Sequence, residues 1–164
     1  MSEFVLCNRQ RTRALKLTSV RRVARYVLES ELGLNDYELG IHFVSANEMA
    51  RVNQKFLQHE GSTDVITFDY GDGAETQRLH GEIFISVADA VKQALAFRTT
   101  WQSEVIRYVI HGLLHLRGFD DLQPAQRRAM KREENRLLRI VESRFALREL
   151  PRTRNSKLKT RNSP

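Results

Sequence analysis

The chain has one cysteine, Cys7, which excludes an internal disulfide and with it the disulfide-framed scaffolds of small secreted proteins. No apolar run approaches the roughly 20 residues that a membrane span needs. The amino-terminal stretch MSEFVLCNRQ lacks the charged-then-apolar pattern of a secretory signal. These absences lead to the expectation of a cytoplasmic protein in a reducing compartment, with no membrane partner. Internal repeats and long linkers are absent too. What remains is ordinary globular composition, 41% apolar and 29% charged over 164 residues. A chain of this length forms one core and buries roughly two-thirds of the surface its unfolded state exposes.

Acidic residues are too few to balance the basic ones, and the formal net charge is +7. The excess is unevenly placed. Residues 148–164, RELPRTRNSKLKTRNSP, hold Arg148, Arg152, Arg154, Lys157, Lys159 and Arg161 against Glu149, so this stretch carries +5 and the rest only +2. With two prolines, few apolar residues and no periodicity, it is expected to be a disordered basic tail after a single domain of residues 1–147. Such a tail is either a salt-sensitive arm for a polyphosphate or merely a solubilising terminus.

Periodicity lays out the domain. EFVLC (3–7), YELGIHFV (37–44), VITFDY (65–70) and GEIFISV (81–87) read as strands, the last two as neighbours. Val20, Val23, Ala24, Val27 and Leu28 set an amphipathic helix from Ser19 that Gly33 can stop. Ser45 to Glu48 has capping-box spacing and opens a helix through Met49, Val52, Asn53 and Phe56. Helical spacing also covers 88–98 and 101–116, and a last helix starts at Pro124 and runs to Phe145. The expected fold is α+β: a small mixed sheet of about four strands packed with about five helices. Cys7 is expected to be a small buried apolar residue, and Trp101 to anchor its helix to the core.

The stretch from His111 to Asp121, HGLLHLRGFDD, carries the chemistry. His111 and His115, four residues apart at the end of an apolar helix, share one face and can reach one ion. Gly118 then ends the helix, and the chain can turn back to bring Asp120 or Asp121 to the same ion. His111, His115, Gly118 and Asp121 stand at the offsets where metzincin proteases have His, His, Gly and His. Three ligands leave a position open, as in catalytic zinc sites. The glutamate of HExxH proteases is missing, because that position is Gly112, so peptide hydrolysis by the usual route is not expected. Phosphodiester cleavage does not require that base, since RNA can supply its own 2′-hydroxyl as nucleophile and needs a Lewis acid and cations around the phosphate.

HGLLHLRGFDD resembles the HGxLHLxGYDH signature of the YbeY family of bacterial rRNA maturation factors. STDVITFDY is similar to that family's TDVLSFP stretch, and HGEIFISV to its GDIxIS strand, in the same order over roughly residues 1–147. The resemblance implies an α+β fold with one divalent metal, zinc, held by His111, His115 and, by position, Asp121. It also implies a single-strand-specific endoribonuclease of 16S rRNA 3′-end maturation and ribosome quality control. Its partners would be single-stranded rRNA and the small ribosomal subunit, with no nucleotide cofactor.

Two departures stand out. The family's third histidine is Asp121 here, a harder oxygen ligand. The helix position where many members carry an arginine is Leu57, so another cation, Lys55, Arg98 or Arg117, would have to meet the phosphate. His59 is a candidate to face the metal cleft. Thr63 and Asp64 either cap a turn or orient a metal-site histidine. Glu82 either lines the cleft or bonds to local backbone. Two rival functions fit the same residues: a non-catalytic RNA-binding assembly factor with a structural metal, and a metal-dependent peptide or amide hydrolase using Glu82 or Asp120 as base.

Overall fold

The computed structural model describes residues 2–57, 63–71 and 78–147. Four strands, β1 (Glu3–Asn8), β2 (Tyr37–Val44), β3 (Val65–Asp69) and β4 (Leu79–Ser86), form one sheet in the order β1-β2-β4-β3. β1, β2 and β4 run parallel, and β3 joins the β4 edge antiparallel. The mixed sheet and the helices α1 (Leu17–Tyr26), α2 (Ala46–Leu57), α3 (Val87–Phe97), α4 (Trp101–Leu116) and α5 (Pro124–Arg144) make the fold α+β, as the patterning led us to expect.

Period-2 alternation gives the sheet two faces. Leu39, Ile41, Phe43, Ile83 and Ile85 are buried in the main core with Val20, Val23 and Val27 of the first helical segment and Ile106, Val109, Ile110 and Leu113 of α4. A second, small cluster of Val44, Met49 and Ile66, with Val52, Phe68 and Phe84 against it, seats α2. α4 matches its expected bounds because its signals are local and strong. The Thr100 hydroxyl accepts from the Ser103 amide, and the apolar stripe runs without interruption to Leu114.

The first helix differs from expectation. It begins at Leu17, and its last turn, Val27–Glu31, is widened so that the Leu32 amide bonds the Val27 carbonyl at 2.9 Å. Apolar spacing at Val27 and Leu28 is the same for a regular and a widened turn. Gly33 ends the segment at φ +66°, as expected. Only half of the capping box forms: the Ser45 hydroxyl accepts from the Glu48 amide, while the Glu48 carboxylate pairs with Arg9. Cys7 is half-buried rather than buried, and Trp101 packs against the main core.

Gly112 explains how closely α4 lies on the sheet. A Cβ there would stand 2.7 Å from the Ile83 side chain, so the helix approaches β4 to a distance only glycine permits. The position that carries the base in HExxH proteases faces packed core in this fold. The basic stretch 148–164 and His59 lie outside the described residues.

Candidate metal centre

α4 places His111 and His115 one turn apart with their rings edge to face, centroids 4.7 Å apart. The helix stops at Gly118, whose φ of +109° turns the chain back. The returning loop is shaped by Asp120, whose Oδ1 accepts from the backbone amides of Asp121 at 2.7 Å and Leu122 at 3.1 Å. That turn directs Asp121 to the histidines. Its Oδ2 lies 3.8 Å from His111 Nε2 and 3.6 Å from His115 Nε2. One ligand atom from each of His111, His115 and Asp121 falls within 4.8 Å of the others, a group one ion could bridge. Of the two aspartates left open by the spacing, Asp121 is in this group and Asp120 builds the loop that holds it.

The histidines are already oriented for a ligand. His115 Nδ1 lies 3.1 Å from the Phe119 carbonyl, which can only accept, so Nδ1 carries the proton and the Nε2 lone pair is free. His111 Nδ1 is 2.9 Å from Glu134 Oε2 on α5. Glu134 is buried, and its Oε1 also accepts from Arg107 Nη1 at 2.9 Å and Lys131 Nζ at 3.3 Å. Burial pushes this carboxyl up; the hydrogen bonds from His111 and Arg107, with the Lys131 charge, outweigh it and hold its pKa at about 2. An ionised Glu134 fixes the His111 ring with Nε2 toward Asp121. Two imidazoles, each with Nδ1 engaged, and one carboxylate are a donor set that fits zinc.

Glu134 was not among the sequence candidates, although a signal existed. It interrupts the apolar stripe Met130, Leu137, Leu138 and Val141 of α5, and a charge on a buried face needs a partner.

A cleft of about 740 Å3 opens beside the centre, between α4, α5 and the start of β3. Its basic residues are Arg107, Arg127, Arg128 and Lys131. Arg107 is taken up by Glu134 and by Asn135 Oδ1 at 2.8 Å. Lys55, Arg98 and Arg117 do not line this cleft. Lys55 sits over the Phe56 ring on α2, Arg98 caps α3 in the left-handed conformation, and Arg117 is exposed just past the end of α4. Leu57 closes α2.

Asp64 lines the cleft, yet it does not touch a histidine among the described residues. Its Oδ1 accepts from the Val65 amide at 2.9 Å and from the Thr63 hydroxyl at 3.5 Å, so this pair caps the entry to β3. Glu82 lies in neither place expected of it. It projects from the other face of the sheet, where Oε1 bonds His42 Nε2 at 2.9 Å and Oε2 accepts from the Tyr70 hydroxyl at 2.9 Å. With Ile83 packed under α4, the alternation of β4 turns Glu82 away from the centre.

Fold and site together define a small α+β domain with a helix-borne His-His-Asp centre, no protease glutamate and a cleft rimmed by cations. The chain belongs to the YbeY family: the family described as Endoribonuclease YbeY matches residues 5–142. The Endoribonuclease YbeY of Chlorobium phaeovibrioides is 34% identical over 129 residues, 79% of this chain and 84% of that one. That of Parabacteroides distasonis is 36% identical over 128 residues, 78% of this chain and 87% of the relative. The solution structure of a Thermotoga maritima protein shares the fold, with a TM-score of 0.62 at 22% identity over 85% of this chain and 90% of that chain. No helix among the described residues is long and apolar enough to cross a membrane.

Proposed function

We propose that this protein is a metal-dependent endoribonuclease that cuts single-stranded RNA in 16S rRNA 3′-end maturation and ribosome quality control, in the cytoplasm, on the small ribosomal subunit. His111, His115 and Asp121 would hold the ion, zinc in this reading. The observation that carries the reading is the convergence of these three side chains with both Nδ1 atoms already engaged, beside the cationic rim of the cleft. Membership in a family described as endoribonucleases supports it.

When bound, the ion supplies a Lewis acid for a phosphoryl oxygen and offsets the charge that develops there. The protein's own residues do the rest. Arg127, Arg128 and Lys131 attract and seat the phosphate, in the role first expected of Lys55, Arg98 or Arg117. Glu134, ionised throughout the working pH range, positions His111 rather than shuttling protons. The substrate's 2′-hydroxyl attacks the adjacent phosphorus as the P–O5′ bond breaks, its proton passing to solvent water and the departing 5′-oxygen taking a proton from water, so no base at Gly112 is required.

The test is cleavage of a precursor 16S rRNA 3′-end fragment by zinc-loaded protein beside His115→Ala purified identically. Cutting by the wild type alone is expected. Equal cutting by both, or by neither, rejects the nuclease. In that case metal-independent affinity for the fragment would favour the assembly-factor reading, and cleavage of a polypeptide would favour the hydrolase.

The basic tail, residues 148–164, is proposed to bind RNA phosphates. With six cations and roughly 0.7 counterions released per single-strand phosphate, its removal lowers the slope of log affinity against log salt by up to about 4. An unchanged slope would reject a role for the tail.

A further inference from the structure

The cleft extends past the metal centre along α4, and its far end has a different chemistry from the rim. Tyr108 lies three residues before His111 on the same face, about 4.5 Å nearer the helix start. It is 5% exposed and lines the cleft, and its hydroxyl has no hydrogen-bond partner among the described residues. A buried hydroxyl left unpaired is costly, so a ligand that meets it gains affinity. The Tyr108 ring belongs to the main core with Val105, Ile106, Val109 and Ile110, and the residue also borders the cleft. Burial first, and the Asp64 and Glu104 carboxylates next, push its pKa well above that of ordinary tyrosine, so it remains a donor.

Apolar side chains form part of the lining. Val65 and Met130 line the cleft, and Phe97, at the end of α3, leaves 70% of its surface open. Gln93, Glu104 and Asp64 also line the cleft, and the Asp64 and Glu104 carboxylates are near enough to act on Tyr108. An exposed ring, a buried unpaired donor and a fixed acceptor are what a nucleobase needs: a face to stack on and an edge to bond.

We propose that the Phe97, Tyr108 and Asp64 end of the cleft is a nucleobase subsite, which takes an amino-bearing base of a nucleotide whose phosphate lies at the metal end. The assignment of the phosphate end rests on the nuclease reading above; the base preference can be measured without it. Phe97 stacks the ring, the Tyr108 hydroxyl donates to a ring nitrogen or carbonyl, and Asp64 accepts from the exocyclic amine. Uracil is disfavoured because its edge carries carbonyls where the carboxylate needs a donor, and a buried polar group left unpaired discriminates strongly.

The test uses full-length zinc-loaded protein and fluorescein-labelled RNA hexamers of A, C or U with every 2′-hydroxyl methylated, so that binding is read by anisotropy without strand cleavage. The A and C hexamers are expected to bind about tenfold more tightly than U, the worth of one net hydrogen bond at the upper end of its range. Asp64→Asn, which keeps the acceptor for the Val65 amide but puts an amide donor where the exocyclic amine would bond, should bring the three within about twofold. Tyr108→Phe, which keeps the ring, should weaken all three by a similar factor while its melting temperature holds, since it removes only a hydroxyl unpaired among the described residues. No preference in the wild type, a preference that survives Asp64→Asn, or unchanged binding by Tyr108→Phe overturns the subsite. A preference lost in Asp64→Asn, in a protein that fails to cut unmethylated RNA, supports the subsite and rejects the nuclease. Cutting without any preference does the reverse.

Discussion

Gly112→Glu, which installs the residue that completes an HExxH sequence, is expected to unfold the protein rather than confer peptidase activity. The added Cβ alone would lie 2.7 Å from Ile83 Cδ1 and Cγ2, on a strand in the middle of the sheet. Overpacking of this kind costs about 1–3 kcal/mol, partly offset by about 1 kcal/mol of helix propensity gained on losing a glycine. The carboxylate adds the larger penalty, because it would enter the apolar core beside Ile83, and burying an unpaired charge costs several kcal/mol more. Against a total stability of roughly 5–15 kcal/mol, little folded protein remains. Gly112→Ala, which adds the methyl alone, is expected to fold with stability lowered by no more than about 2 kcal/mol. Urea denaturation followed by circular dichroism compares the three. A glutamate variant as stable as the wild type would mean that α4 can lift from β4, and the steric account of the missing base would fall.

Glu134→Ala is expected to affect metal binding and stability together. His111 loses the acceptor that fixes its ring, and removal of such an orienting partner lowers metal affinity by about 10–100-fold. Arg107, 22% exposed, loses one of its three partners, keeping Asn135 and Glu104, and Glu134's place in the core is left empty, which costs about 3 kcal/mol. Glu134→Gln separates the effects: the amide keeps the volume and one acceptor, so stability recovers in part while zinc affinity stays low, because the charge that strengthens His111 as a ligand is gone. Competition with a chromogenic chelator gives the zinc affinity of each variant. If both variants bind zinc as tightly as the wild type, His111 does not depend on Glu134.

The sequence was most legible where signals were local. α4 could be read to the residue because its cap, its stripe and its stop lie within the segment. The pairing of His111 and His115 followed from helical spacing alone. The alternation that turns Glu82 from the centre was also present in HGEIFIS, where Ile83 and Ile85 alternate with Glu82 and Phe84, but which face α4 covers depends on tertiary packing. For the same reason the cations of the cleft could not be placed. Arg127, Arg128 and Lys131 reach it only because α5 folds back across α4, and no spacing within α5 states that. Glu134 lay between: its place on an apolar stripe was visible, and its partner was not.

The three candidate ligands lie within eleven consecutive residues, His111 to Asp121, whereas Glu134 comes from the helix that follows. Closing so short a loop costs little chain entropy, so the centre depends on almost no long-range assembly. Once α4 and its turn have formed, the three candidate ligands would already stand together. Docking of α5 would then set Glu134 behind His111, so an ion bound at this centre would be held most tightly only when the last helix has packed.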